Sequence, residues 1–406
     1  MDPHGRKPHR RSTFRSNNRA AGVPLTMTEH DVLSPTPRHA ADCSHLYFVL
    51  SWLLLFLSGT CSAFELEAFQ NHPGTRAMGM AGVFAAQADD SSAIWYNPAG
   101  PAFDTAAKSD ISIEVGNIPR VSDQDEYSRS GEKLKYLGGY TQKQFSIFGT
   151  EYPMAVGAGY FVPDSPTIYI DALRPAVSNP SPYGNVDITN YQVSALLAAS
   201  PRASFSWGVT VDAMWSEILK CRDYNKCVKK SGPQGYGASL GAKYTVAKFS
   251  SGDASIATAW HSRIRLRYAS HPDSGIGSVI EDYLPGRPNS FVLGINLRTS
   301  TSMAAININA QMERIGWSDT TSDTSISDHR KVGLGTEALF PLLNDNIFAL
   351  RVGISRALAS GTPSKVNILA TSIGYGFAQY HSIDIALERR ALSVGAHESF
   401  VSLSME

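Results

Sequence analysis

The sequence predicts an all-β chain, a 14-stranded antiparallel transmembrane β-barrel, on three observations. From about Ser109 onward, segment after segment alternates apolar and polar residues with period two, and aromatic residues stand at the ends of the apolar stripes. Ten charges inside these segments fall on the polar stripe. Long and short connections alternate along the chain.

The stretch ASFSWGVTVDAMW, 203–215, carries the pattern most clearly. Phe205, Trp207, Val209, Val211, Ala213 and Trp215 share one face, and Ser204, Ser206, Gly208, Thr210, Asp212 and Met214 share the other. Successive side chains of a strand point to opposite faces. Apolar-out, polar-in alternation with aromatic girdles is what a membrane-spanning barrel strand requires. The same period predicts strands over 109–117, 134–149, 153–163, 188–200, 203–215, 235–247, 254–269, 288–298, 302–314, 329–340, 346–357, 365–377, 380–390 and 397–405. Gly138-Gly139 interrupts the alternation of the second. Asp110, Glu114, Lys243, Arg298, Glu313, Lys331, Glu337, Arg351, Asp384 and Glu388 all share the parity of the polar face. A charge facing lipid near the midplane costs roughly 2–4 kcal/mol, so this segregation is expected of a barrel. A soluble sandwich also segregates its charges, and the connections separate the two. They run about 16, 3, 24, 2, 19, 6, 18, 3, 14, 5, 7, 2 and 6 residues, the alternation of an up-and-down barrel with short periplasmic turns and longer outer loops.

Composition narrows the function. The 406 residues hold 36 Lys+Arg and 36 Asp+Glu, which leaves no basic footprint for nucleic acid. The apolar run LYFVLSWLLLFL, 46–57, is too short to cross a bilayer as a helix and fits the core of a secretory signal. Cys61-Ser62-Ala63 supplies a small-residue cleavage site. Residues 1–63 therefore read as a leader, with the mature chain starting at Phe64. Only Cys221 and Cys227 remain after its removal. Export implies an oxidising compartment, so CRDYNKC, within the third long connection, is expected to close a small disulfide loop. A metal is not expected there, since Asp223 is near but no His is. No GxSxG occurs, and GLGTEALF, 333–340, lacks the Lys-Ser/Thr of a phosphate loop. No enzyme activity and no cofactor are expected.

Residues 64–107 show no strand alternation and are rich in Ala, Gly and Met. A barrel this wide has a lumen that its own side chains cannot fill, so this segment reads as a plug. Its end, IWYNPAG, sets Trp95 and Tyr96 before an Asn-Pro. Proline disfavours helical geometry at Asn97, and Asn is a good N-cap. Asn97, Pro98 and Ala99 thus read as the cap of a short helix, and equally as a corner that latches the plug to the wall.

The ordered set Gly79-Met80-Ala81-Gly82, Asp89-Asp90, Trp95-Tyr96 and Asn97-Pro98-Ala99 resembles the start of the FadL/TodX outer-membrane transport family. The resemblance implies a hatch over 64–107 inside a barrel over 108–406, set in outer-membrane lipid and expected to be a monomer. It implies passive uptake of hydrophobic small molecules, long-chain fatty acids first among them. The same opening also resembles barrels that dock other proteins in secretion, which leaves a non-transporting docking or adhesion barrel as the alternative. One departure stands out. Many outer-membrane barrels end on an aromatic residue, whereas this chain ends SFVSLSME.

Two further sets of residues are candidates. Strand 254–269 is expected to turn His261, Arg263, Arg265 and Arg267 inward, where guanidinium groups would pair a carboxylate bidentately. The other reading is a lining paired with Glu313 or Glu337. Gly157 and Gly159 lie in the third strand, which is kinked in the family to leave a lateral gap. The other reading is that they make room for the hatch.

Overall fold

The computed structural model describes residues 73–103, 108–116, 133–147, 150–163, 167–169, 185–222, 226–266, 286–316, 329–359, 367–377, 381–391 and 397–405. The leader with its cleavage position, and residues 64–72 and 104–107, lie outside these. The N-terminal segment 73–103 holds two single-turn helices, α1 (Thr75–Met78) and α2 (Ala93–Tyr96), and a 3-10 turn at Gly100–Ala102. The strands follow: β1 (Ser109–Gly116), β2 (Lys133–Ile147), β3 (Thr150–Phe161), β4 (Thr167–Tyr169), β5 (Asn185–Arg202), β6 (Phe205–Arg222), β7 (Lys226–Phe249), β8 (Gly252–His261), β9 (Asn289–Ser300), β10 (Ala305–Gly316), β11 (His329–Pro341), β12 (Ile347–Ala359), β13 (Asn367–Phe377), β14 (His381–Ala391) and β15 (His397–Met405).

All belong to one antiparallel sheet. β1 pairs with both β2 and β15, and β3 with both β2 and β5. The three-residue β4, absent from the expected set, pairs only with β5.

The sheet has its polarity reversed relative to a water-soluble protein. Val211 is 64% exposed and Tyr236 71%, while Asp212 is 1% exposed and Glu337 0%. Along β9 the alternation is complete: Ser290, Val292, Gly294 and Asn296 are buried between exposed Phe291, Leu293, Ile295 and Leu297. Strong polar groups are almost never buried this way without partners, and here the N-terminal segment supplies them. Among the described residues, no helix is long and apolar enough to cross a membrane.

Two expected boundaries are corrected. The third long connection is instead largely paired, β6 and β7 running on as a hairpin to Arg222 and Lys226. The apolar-out, polar-in stripe ends at Trp215, and beyond it Glu217 and Lys229 pair across the strands at 2.7 Å while Ile218 is buried. Cys221 and Cys227 stand opposite each other in this register, although the expected disulfide itself lies outside the described side chains. The second correction is β8, which stops at His261 rather than running to 269. The register that pairs His261 with Ser290 would next bring Arg263 opposite Pro288, and proline has no N–H for the ladder. The chain leaves the sheet there, with the Ile264 amide donating to the Arg287 carbonyl.

Glycine makes the seat for the N-terminal segment. Gly208 of β6 and Gly241 of β7 are direct cross-strand partners. A Cβ on Gly208 would lie 2.0 Å from the Pro98 carbonyl oxygen, and one on Gly241 2.1 Å from Asn97 Oδ1. The pair thus forms a side-chain-free notch. Gly208→Val is expected to leave strand content unchanged by circular dichroism while limited proteolysis within 73–103 accelerates roughly tenfold, the equivalent of ~1.4 kcal/mol of lost docking.

Candidate functional site

The Asn97 corner occupies that notch. Pro98 holds Asn97 extended, at φ −160° and ψ 103°, as the steric rule for pre-proline residues requires. The Asn97 Nδ2 donates to the Ala85 carbonyl at 3.0 Å and to the Ala242 carbonyl of β7 at 3.4 Å. Its Oδ1 accepts from the Ala99 amide at 3.0 Å. Ser206 of β6 donates to the Ala99 carbonyl at 2.8 Å. Asn97 also opens the turn that follows α2: extended itself, it accepts from the Ala99 amide on Oδ1 and from the Gly100 amide on its carbonyl at 3.0 Å, with Pro98 first in the turn that runs on into Gly100–Ala102.

A second attachment, unforeseen in the sequence, lies at Arg76. Its guanidinium meets Glu337 of β11 in bidentate fashion, Nε to Oε1 and Nη2 to Oε2, both at 2.7 Å. Arg351 Nε of β12 also donates to Oε1 at 2.7 Å, and Asn307 Nδ2 of β10 to Oε2 at 3.0 Å. Gln87 of the segment donates to Oε2 at 2.5 Å. Arg351 continues to Asp384 of β14. Paired charges at Arg76 and Glu337, far apart in sequence, carry no local signal of each other. The inward parity of Glu337 was the one available hint.

The acidic pair divides its roles. Arg76 lies 2.7 Å from Asp89 and 3.5 Å from Asp90. Burial pushes the Asp89 carboxyl up, but Arg76 and Lys108 outweigh it and hold the group below its usual range. Burial, with Asp110 and Asp89 adding to it against Arg76, pushes Asp90 up to about 6. Asp90 also accepts from the Ser92 amide and hydroxyl. Tyr136 of β2 donates to the Ser91 carbonyl at 2.6 Å, and Lys243 of β7 to that of Gln87 at 2.8 Å.

Trp95 and Tyr96 face opposite ways. Tyr96 packs edge-on against Phe84 inside the segment, with centroids 5.6 Å apart. Trp95 turns to the strands, 4.5 Å from the Phe161 ring and stacked at 5.8 Å on His261. A cavity of about 50 Å³ lies beside it, bordered by His261, Arg287, Gln311, Glu313 and Lys331.

Of the expected arginine row, His261 alone joins this site. Arg263 is half-buried and Arg265 exposed beyond the end of β8, and Arg267 lies outside the described residues. Ile264, expected to face outward, is fully buried. Arg287, from the far side of the same connection, takes the inward position and lies 2.7 Å from Asp212. β3, which carries the lateral-gap candidates Gly157 and Gly159, pairs with β2 and β5 from Met154 to Phe161. A Cβ on Gly159 would meet the Ile94 side chain in ordinary contact at 3.5 Å. One on Gly157 would lie 2.6 Å from the Gly139 carbonyl.

No family model matches the chain, and no curated protein does. Solved structures do match in fold. The CymD monoaromatic hydrocarbon channel is 13% identical with a TM-score of 0.52, covering 84% of this chain and 98% of its own. The Ralstonia pickettii toluene transporter TbuX is 13% identical, TM-score 0.52, covering 82% and 96%. A Pseudomonas aeruginosa FadL homologue is 13% identical, TM-score 0.52, covering 86% and 99%. At this identity the likeness is one of fold.

Two outcomes follow for the attachment. Glu337→Ala takes one carboxylate from two buried guanidinium groups, leaving Arg76 with Asp89 and Arg351 with Asp384, and is expected to cost about 3 kcal/mol, the lower end for a broken buried pair, read as a lower unfolding midpoint in detergent. Asp90 has a folded pKa of about 6 against an ordinary 3.8, so docking favours its protonated form. Its contribution is complete below 3.8 and disappears as pH rises through about 6. Asp90→Asn is expected to flatten the thermal stability profile across that window, and an unchanged profile would contradict the assignment.

Proposed function

We propose that this chain is an outer-membrane channel for passive uptake of hydrophobic small molecules. In this reading the sheet closes as a barrel of fourteen long strands, and segment 64–107 is its hatch. The observation that carries it is the reversed polarity. Apolar side chains cover the exposed face, and buried charges on the other face bind segment 73–103. An exposed apolar surface of this extent suits lipid better than water. The pairings of β1 with β15 and of β3 with β5 support closure, and the fold likeness to hydrocarbon channels supports the cargo class.

The hatch has firm and yielding parts. Arg76 on Glu337 and Asn97 in the glycine notch hold its two ends. Cargo reaches the Trp95 cavity from the end of the sheet where the long connections 267–285 and 317–328 join, and passes as the stretch between the anchors gives way. No energy source is needed, since an apolar solute partitions down its own gradient. Among cargoes, long-chain fatty acids, implied by the sequence resemblance, would call on Arg263 and Arg265, which lie beyond the end of β8, to hold their carboxylate. Aromatic and aliphatic hydrocarbons need no such partner.

The test is uptake by liposomes bearing the purified protein, with toluene and oleate as separate cargoes. Either cargo is expected to enter faster than into protein-free liposomes. Rates equal to protein-free liposomes for both would overturn the channel and favour a docking barrel.

A further inference from the structure

Three walls surround the Trp95 indole. The Phe161 ring stands edge-on at 4.5 Å, the His261 ring is stacked at 5.8 Å with 24° between planes, and the Arg287 guanidinium lies 5.9 Å from the indole centroid. Edge contact, stacking and a cation over the face are the three ways a protein recognises a planar π system. All three walls are buried.

The walls are also fixed in place. Asp212 of β6 ties two of them together. Arg287 lies 2.7 Å from Asp212 Oδ2 and donates to the carbonyls of Ser262 and Ala238. Ser239 donates to the same Oδ2 at 3.1 Å and lies 3.0 Å from His261 Nδ1. Because the one Ser239 proton goes to the carboxylate, His261 Nδ1 must donate to Ser239, which sets the tautomer and the ring plane. Ser194 holds the other oxygen of Asp212 at 2.6 Å. Phe161 is held in the ladder between β2 and β5.

Trp95 is the least buried member. It is half-buried, and its other contact is with the segment's own apolar cluster of Ala77, Met80, Phe84, Ala88, Ala93 and Tyr96. It rides on a single-turn helix closed by two i→i−4 bonds, Tyr96 to Ser92 and Asn97 to Ala93. A turn this short has little stability of its own. The cavity beside it, about 50 Å³, is well below the ~150 Å³ that takes a benzene ring. A second ring therefore fits only where the indole now sits.

We propose that the slot between Phe161, His261 and Arg287 is a binding seat for a planar aromatic ring, occupied by the chain's own Trp95 until an aromatic cargo displaces it. This rests on the channel reading and names a substrate class for it: small uncharged aromatics in preference to saturated rings of equal size. The seat excludes nothing by charge, because Arg287 is already matched by Asp212 and meets the ring only through its face.

The experiment uses the full detergent-solubilised protein with 5-fluorotryptophan incorporated, the Trp95 fluorine signal being assigned by its loss in Trp95→Phe. Should that variant fail to fold, Trp52→Phe, Trp207→Phe, Trp215→Phe, Trp260→Phe and Trp317→Phe assign the others by elimination. Toluene is expected to shift the Trp95 signal saturably, with methylcyclohexane at least about tenfold weaker. Phe161→Leu, which keeps an apolar wall but removes the edge contact, is expected to weaken the toluene titration roughly 2- to 10-fold. A Trp95 signal unmoved by toluene, or moved equally by methylcyclohexane, overturns the seat. The channel reading is separable. Titration of Trp95 without toluene uptake into liposomes removes the channel and keeps the seat, while uptake with an unmoved Trp95 signal does the reverse.

Discussion

A carboxylate removed from water must be surrounded by donors or it forces the structure apart. Glu337 meets that demand with donors from Arg76, Gln87, Asn307 and Arg351. Two of these come from the N-terminal segment and two from the neighbouring strands, so the same charge joins segment and sheet. Without the segment, Glu337 would keep Asn307 and Arg351 alone among these donors. Without the sheet, Arg76 would keep only Asp89 and Asp90. Neither part is a finished structure alone.

The second constraint is space. A strand face with full side chains could not admit backbone as close as the Pro98 carbonyl comes to Gly208. The sheet solves this by setting glycine opposite glycine there and again at Gly335 and Gly353, which face Met80. Polar side chains then handle the remaining backbone groups of the segment, as Gln311 does for the amides of Phe84 and Ala85. The segment needs little regular structure because the wall satisfies it. Single-turn helices suffice, and positive φ at Ala81 and Ala88 is tolerated because the surrounding contacts over-determine the path.

The strands were legible in the sequence because a period of two is written residue by residue. β9, β11 and β15 follow the expected segments closely, and Glu337, Arg351 and Asp384 face inward as their parity required. Parity does not carry the point where β8 ends. Its regular pairing stops at His261 and Ser290, just before the register would bring Arg263 opposite Pro288, which has no N–H to give. At Gly157 and Gly159 the sequence shows two glycines in one strand, and only the pairing shows that the ladder runs through both on either side.

By itself, then, the sequence determined the strand phases, the inward placement of charge and the break in geometry at Asn97-Pro98, since each follows from backbone sterics and period within a few residues. Only the tertiary structure decided that Arg76 meets Glu337, that Asn97 enters a notch between β6 and β7, and that Trp95 lies against Phe161, His261 and Arg287. These partners stand up to hundreds of residues apart, as |i−j| of 261 for Arg76 and Glu337 illustrates. Which of them meet depends on the relative registers of all the intervening strands, and no single segment of sequence encodes that sum.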